Sequence, residues 1–398
     1  MTAKRFPRGV WLLGLVSLCM DLSSEMIHAL LPVFLTTVLG AGTVAIGFIE
    51  GIGEATASLS KIFSGVLSDR SGRRKPLVVI GYGLAALTKP LFPLAQSAIL
   101  VLVARFVDRI GKGIRGAPRD ALIADITSPD ARGAAYGLRQ ALDTAGALLG
   151  PLIGLALLSV LSGDDSHVLR TVFWIAAVPA FVAVVVLVLF VHEPADRPTR
   201  TKPQLQLHWR ELHQLGSAFW FVVILGGVFA LARFSEAFLI LRATDVGLAL
   251  KRTPLALAVM NIVYVASAYP FGQLADRIDR AWLLASGLVV LIASDVILGL
   301  TLPLSMIFVG IALWGLQMGL TQGLFSAMVA DAAPAGLRGS AFGVFYFVTG
   351  ICALLASGLA GLLWASSGPE LTFRVGAAIS AIALCGLLGY RSRYRKAS

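Results

Sequence analysis

Arg105, Asp108, Arg109, Lys112, Arg115, Arg119 and Asp120 stand in the stretch VARFVDRIGKGIRGAPRDALIAD, Val103 to Asp125, between runs that are almost wholly apolar. At 100° per residue all seven fall within about 140° of one another, so a helix carries them as one stripe and keeps its opposite face apolar. A charge at the middle of a bilayer costs at least ~2.5 to 3.5 kcal/mol on insertion scales, so a stripe of them calls for water, partner side chains or a substrate. Its basic excess suits an anionic or zwitterionic group. Arg105, Arg109, Lys112 and Arg115, with Arg139 further along the chain, are the candidate substrate-binding residues. Part of the stripe can also be structural: Asp108 can pair with Lys112 or Arg105, and Arg115 and Arg119 can reach a membrane surface.

Carboxylates occur on neighbouring segments. In MDLSSEMIHALLP, Asp21, Glu25, His28 and Pro32 are spaced i, i+4, i+7, i+11 and share a face; Glu50, Glu54 and Lys61 share another; Arg139, Gln140 and Asp143 form a third group. Withdrawal from water favours the neutral form of a carboxyl and a nearby Arg or Lys the charged form, so arrival of a substrate can switch its hold on a proton. Asp21, Glu25, Glu54 and Asp143 are the candidate proton-coupling residues, Glu25 first. Static salt bridges to the stripe are the plainer reading of Asp21 and Glu25, and a hydrogen-bonded packing histidine that of His28.

The elements that must position these groups follow from composition. Of 398 residues, 57% are hydrophobic and 14% charged, and the mean hydropathy is +0.83, outside the balance of soluble domains. A spanning helix needs about 20 mostly apolar residues. About twelve such runs begin near Val10, Thr43, Leu77, Ala98, Ala134, Leu169, Leu215, Pro254, Ala281, Pro303, Ala341 and Leu371. Their backbone bonds must close internally, so the expectation is an all-α polytopic membrane protein of 12 transmembrane helices. With both termini cytoplasmic, about 19 Lys and Arg fall on cytoplasmic segments, about 5 outside and about 9 within spans. The net charge of +11 then reports topology, and no nucleic-acid partner is needed. The first run contains carboxylates, unlike a cleaved signal sequence. Cys19, Cys352 and Cys385 fall at unrelated spacings, so neither a disulfide framework nor a metal site is expected.

The chain repeats itself at an offset of about 206 residues. GVLSDR (Gly65 to Arg70) returns as GQLADR (Gly272 to Arg277), and Asp125, Arg132, Gly133 and Gly137 return as Asp331, Arg338, Gly339 and Gly343. Ser24-Glu25 returns as Ser235-Glu236 at a slightly different offset. Two six-helix bundles, 1–192 and 215–398, joined by a cytoplasmic linker at 193–214, fit the plan of a transporter with parallel repeats.

The chain resembles the major facilitator superfamily over essentially its whole length. Gly65, Leu67, Asp69, Arg70, Gly72, Arg73 and Arg74 match the G-x-L-x-D-R-x-G-R-R signature of that family. The resemblance implies the two-bundle fold of the superfamily, and a latch closing the cytoplasmic side through Gly65, Asp69, Arg70, Gly72, Arg73, Asp125 and Arg132. The second copy departs from the signature, with Asp279 in the place of Gly72. Gly146, Gly150, Pro151 and Gly154 are similar to the G-x-x-x-G-P-x-x-G element of the antiporter branches, which implies export; ordinary membrane-helix packing accounts for the same pattern. Arg105 stands where the family bears an arginine on its fourth helix.

The repeat also supplies a control. The tenth run places Ile311, Trp314, Gly315, Met318, Thr321 and Phe325 where the fourth carries its stripe. The first half holds about 15 ionisable residues within spans and the second about 3, namely Arg233, Glu236 and Asp295. No G-x-x-x-x-G-K-[ST] loop, HExxH or G-x-S-x-G occurs, so neither ATP-driven transport nor an embedded hydrolase is indicated. The expectation is a proton-coupled secondary transporter of a small organic solute, acting as a monomer without cofactor in a bacterial cytoplasmic (inner) membrane, with efflux favoured. Import of an organic anion or siderophore with protons is the alternative, and a non-transporting receptor on the same scaffold is one of another class.

Overall fold

The computed structural model describes residues 7–71, 74–127, 132–193, 215–275, 278–321, 324–332 and 338–394. Apart from short connections these are helical, and no strand occurs among them. The helices are α1 (Arg8–His28), α2 (Thr43–Ser71), α3 (Lys75–Thr88), α4 (Ala98–Ile126), α5 (Arg132–Val160), α6 (Asp165–Phe190), α7 (Ser217–Ala232), α8 (Pro254–Ala275), α9 (Arg280–Leu298) and α10 (Leu304–Thr321). A last helical stretch, Arg338–Tyr394, breaks at Gly368, where φ 85 and ψ 175 are open only to glycine. Pro369 follows and starts a new helix, so the stretch is α11 (338–367) and α12 (369–394). Short helices continue four of the spans: Leu31–Val33 and Phe34–Val38 after α1, Leu91–Leu94 after α3, Ala237–Asp245 after α7 and Leu324–Ala332 after α10.

Polar side chains set several of the starts. Ser97 accepts a hydrogen bond from the amide of Leu100 at the head of α4, Asp164 accepts from His167 at the head of α6, and Asp279 accepts from Ala281 at the head of α9. Eight stretches among the described residues are long and apolar enough to cross a bilayer, the last of them, Ala341–Gly389, being the 49 residues folded at Gly368. The expectation of twelve crossings is carried in part. The helices α2 and α4, each 29 residues long, and α8, 22 residues long, fall outside the eight; α2 and α4 carry the charged residues discussed above. The chain is a multi-pass membrane protein.

Two compact units account for the described residues. One takes the ranges Met1–Leu39 and Thr56–Leu205, the other Gly40–Ala55 and Gln206–Ser398. The expected division into 1–192 and 215–398 therefore differs in one place, the first half of α2. Glycines explain it: a Cβ on Gly47 would lie 2.2 Å from the carbonyl oxygen of Ser357, and one on Gly361 would lie 2.5 Å from that of Thr43. Only hydrogen at these positions lets Gly40–Ala55 lie against α11.

In the first unit, α1 packs on α5 and α6, and α3 on α4 and α6, around a core that includes Leu13, Val16, Met20, Tyr82, Ala85, Leu122 and Leu187. In the second, α8 and α9 pack on α10, and α7 on the stretch 338–394, with Leu225, Phe229, Leu284, Leu288 and Leu320 in its core. The repeat is visible in individual contacts. A Cβ on Gly81 would meet Arg115, and one on Gly287, 206 positions later, would meet Thr321, itself 206 beyond Arg115. Gly113 lies against Ser60 and the backbone nitrogen of Lys61, and Gly319, 206 positions later, against the side chain of Ser267, itself 206 beyond Lys61.

Candidate functional site

The polar groups of the first unit form a column between α1, α3, α4 and α5. Because α1 and α4 run in opposite directions, residues descend on one as they ascend on the other. Nη2 of Arg105 lies 2.9 Å from Nδ1 of His28. A turn further, the ammonium of Lys89, 2% exposed, donates to Oδ1 of Asp108 at 2.9 Å and to Oγ of Ser24 at 2.9 Å. Next, Arg115 approaches Asp21 at 3.8 Å and lies 4.6 Å over the ring of Tyr82. Arg119 then donates to Ser17 Oγ at 3.0 Å and to the Tyr82 hydroxyl at 3.2 Å. It stands 3.2 Å from Asp120 and 3.9 Å from Asp143. Arg139 closes this end, 3.4 Å from Asp143 and 4.0 Å from Asp120, while the Tyr136 hydroxyl donates to the carbonyl of Asp120 at 2.8 Å.

Lys89 fixes how the column is read. An ammonium within an apolar span is tolerated only with its charge and donors met, and Asp108 and Ser24 meet two of its three donors. Asp108 therefore meets Lys89, at the C-terminal end of α3, a partner that the stripe alone did not suggest. That pairing leaves the basic side of the stripe in excess. Counting Lys89, Arg105, Arg109, Lys112, Arg115, Arg119 and Arg139 against Asp21, Glu25, Asp108, Asp120 and Asp143, the column holds seven cationic groups and five carboxylates. Arg105, Arg109 and Arg115 are buried, whereas Lys112, at the centre of the stripe, is exposed. Nη1 of Arg115 and Nε of Arg139 are buried with no hydrogen-bond partner among the described residues. Donors of this kind, beside an exposed ammonium, can take the oxygens of a carboxylate or phosphate.

Of the expected proton carriers, Asp21 and Asp143 belong to the column through Arg115, Arg119 and Arg139. Glu25 is half-buried at the contact of α1 with α5, where a Cβ on Gly150 would lie 2.7 Å from its own Cβ. Glu54 is not in the column: it is exposed and lies in the 40–55 segment that packs with the second unit. On that segment the buried acid is Glu50, 3.4 Å from the hydroxyl of Ser235. His28 is a buried, hydrogen-bonded histidine.

The glycine element of α5 is a packing device. A Cβ on Gly146 would lie 2.5 Å from the carbonyl oxygen of Leu18, and one on Gly150 would lie 3.0 Å from that of Leu22. Pro151 and Gly154 continue the buried face. Of the expected latch residues, Asp125 pairs with Arg74 at 2.9 Å. Glu193 accepts the backbone amides of Arg74 at 2.7 Å and Lys75 at 3.3 Å, which ties the start of the expected linker to the head of α3. Gly72 and Arg73, and the side-chain surroundings of Gly65, Asp69, Arg70 and Arg132, lie outside the described residues.

Lys89, Tyr82, Ser17 and Arg242 are the polar residues that sequence reasoning passed over. For Lys89 the signal was present, a single lysine ahead of Pro90 in an otherwise apolar run. Arg242 adds to the charges expected in the second half. It is 1% exposed on the short helix after α7, with Nε on the carbonyl of Leu298 and Nη2 on that of Leu300, each at 2.9 Å, and Nη1 2.6 Å from Asp245. Among the described residues no three His, Cys, Asp or Glu side chains come together as a metal set.

Comparison with known proteins gives these features a setting. The description of the Major Facilitator Superfamily matches residues 13–248 and 234–398. An uncharacterised MFS-type transporter of Methanocaldococcus jannaschii is 33% identical over 393 residues, 97% of this chain and 95% of the relative. The multidrug resistance protein MdtH of Proteus mirabilis is 31% identical over 146 residues, 37% of this chain and 36% of that protein. Among solved structures, a POT family transporter in complex with a thioalcohol-conjugated peptide superposes with a TM-score of 0.80 at 13% identity, over 98% of this chain and 96% of that one; at such identity the likeness is one of fold. With a family match from residue 13 to 398 and a relative aligned over nearly its full length, the chain belongs to the major facilitator superfamily.

Proposed function

We propose that this chain is a proton-coupled secondary transporter that moves a small anionic or zwitterionic organic solute by alternating access, with efflux as its direction. One observation carries the reading. The polar column holds more cations than carboxylates, and Lys112 is exposed at the centre of its stripe. An exposed charge within a membrane-spanning helix marks a pathway. Arg109 and Arg115 flank Lys112 and take the anionic group with it; Asp21 and Asp143, already tied to arginines, exchange the proton as that group arrives or leaves. Glu25 is the next candidate for the same task. The part of the chain similar to a multidrug resistance protein supports outward movement. Proton symport of an organic anion or siderophore into the cell uses the same charges and is the second reading. The protein works as a monomer in a bacterial cytoplasmic membrane with both termini inside, the orientation that best distributes Lys and Arg.

The test is proton movement in proteoliposomes followed with a pH-sensitive dye, with organic anions added first and lipophilic cations second. Flux evoked by anions and lost in Lys112→Ala is the expected result. Flux evoked only by cations and unchanged by the substitution removes the stripe from the substrate path. The sign of the proton movement on adding solute from one side separates efflux by exchange from import by symport.

A further inference from the structure

At the place where the first bundle carries its Lys89–Asp108 pair, the second carries two buried polar side chains with no hydrogen-bond partner among the described residues. The repeat offset of about 206 maps Lys89 onto Asp295 of α9 and Asp108 onto Trp314 of α10. Both are 0% exposed. Neither carboxylate oxygen of Asp295, nor Nε1 of Trp314, has a hydrogen-bond partner among the described residues. The surroundings leave no room for one. A Cβ on Gly376 of α12 would lie 2.8 Å from Oδ2 of Asp295 and 3.1 Å from Cε1 of Phe234. The Phe234 ring in turn packs on Trp314 at 5.5 Å, Phe238 at 5.5 Å and Phe373 at 5.3 Å. The neighbouring hydroxyl, Ser294, is already used on the carbonyl of Gly310 at 2.7 Å.

The charged groups of the packed elements are engaged elsewhere. Arg374 of α12 donates from Nε to the carbonyl of Gly299 at 3.1 Å. Arg242 is held by Leu298, Leu300, Asp245 and Glu370, and Arg233 lies 4.0 Å from Glu236. The helix α10 has no ionisable side chain at all. No second carboxylate joins Asp295 to make a metal set among the described residues. An ionised carboxylate walled in by aromatic rings, with neither cation nor donor, is too costly to persist, and the inexpensive way to keep an aspartate there is as the neutral acid.

We propose that Asp295 is a proton-binding site of the second bundle, loaded with its proton in this conformation. The exchange is a plain ionisation: the carboxyl O–H bond breaks, the proton leaves to water, and the carboxylate remains. Release requires α9, α10 and α12 to part far enough to admit water, or to bring the Trp314 N–H to Oδ1 or Oδ2, so loading is tied to how tightly these three helices pack. The use of this proton in coupling rests on the transporter reading above; its presence on Asp295 does not.

Infrared difference spectroscopy on the full-length protein in lipid tests the site without any substrate. At neutral pH the wild type is expected to show the C=O stretch of a protonated carboxyl, and Asp295→Asn, which has the shape of the neutral acid, to lack it. Asp295→Glu, used should the first variant not fold, is expected to shift the band rather than remove it. An unchanged carboxyl region in either folded variant overturns the proposal. If the wild type shows the band but no solute evokes proton flux, the transport reading fails and the site stands; flux without the band is the reverse.

Discussion

The two bundles place close-packed glycines at equivalent positions and surround them with opposite chemistry. Gly81 against Arg115 and Gly287 against Thr321 are equivalent contacts, as are Gly113 against Lys61 and Gly319 against Ser267. Between those positions the first bundle places a lysine 2.9 Å from an aspartate, and the second an aspartate and a tryptophan with no hydrogen-bond partner among the described residues. The helices are thus held by small residues that let backbones approach, in either bundle. The charges are an addition that only one bundle carries in bulk. What the contrast teaches is that the column of the first bundle is not a requirement of the fold.

The largest effect expected is on that column. Lys89→Ala leaves Asp108 buried with its partner gone, which for a buried pair costs about 3 to 5 kcal/mol. The matching change in the second bundle, Asp295→Asn, strands no charge and is expected to cost about 1 kcal/mol, the centre of the distribution for single substitutions. Thermal unfolding of the purified proteins in detergent compares the two. Replacing both members together, Lys89→Met with Asp108→Leu, is expected to restore most of the loss. Equal losses for Lys89→Ala and Asp295→Asn would break the comparison.

Glycine substitutions are expected to hit both bundles alike. Gly146→Ala drives a methyl toward the carbonyl of Leu18, where a Cβ would lie 2.5 Å away, and Gly315→Ala drives one toward the carbonyl of Met260, at 2.2 Å. Backbone cannot rotate aside as a side chain can, so each is expected to lose about 1 to 3 kcal/mol by overpacking. A loss confined to one bundle would mean that close approach matters in that half alone.

Much of this architecture was legible in the sequence because it is written in local patterns. Apolar runs gave helices whose starts at Thr43, Ala98 and Pro254 coincide with the observed ones, and the charge stripe on α4 was a matter of helical phase. The partners of the stripe were not legible. Which residue meets Asp108 depends on how α3 lies against α4, and no periodicity within α4 carries that; hence Lys89, on another helix, was missed. The burial of the α2 carboxylates was not legible for a related reason: phase places Glu50 and Glu54 on one side of α2, yet packing leaves Glu50 buried and Glu54 exposed. Arg242 escaped because the span it belongs to is broken after α7 and resumes at Ala237.

A smaller effect is expected from the hydroxyl that joins α3 to the column. Tyr82→Phe keeps the ring under Arg115 and removes the acceptor used by Arg119 at 3.2 Å. Arg119 retains Ser17, Asp120 and Asp143, but the hydroxyl's contact with Ser17 Oγ at 3.1 Å goes too, so the loss is expected to be about 2 kcal/mol, that of two hydrogen bonds. The repeat places Leu288 at the corresponding position, inside an apolar core. A loss several times larger in unfolding midpoint would show that the hydroxyl organises the whole network.

The least effect on stability belongs to the residue with the most to do. Lys112 is exposed and acts on Asp21 and Asp143 only through its charge, so Lys112→Ala is expected to leave stability within about 0.5 kcal/mol of the wild type. Its counterpart in the other bundle is Met318, which has no charge to contribute, so nothing in the shared fold asks for a lysine there. An ammonium that the fold does not need, one turn from Arg115, whose Nη1 has no hydrogen-bond partner among the described residues, is retained for what it binds. Unfolding and dye-monitored proton flux measured on the same preparation decide the matter: intact stability with lost flux ties Lys112 to the solute, whereas a drop in stability comparable to that of Lys89→Ala makes it one more strut.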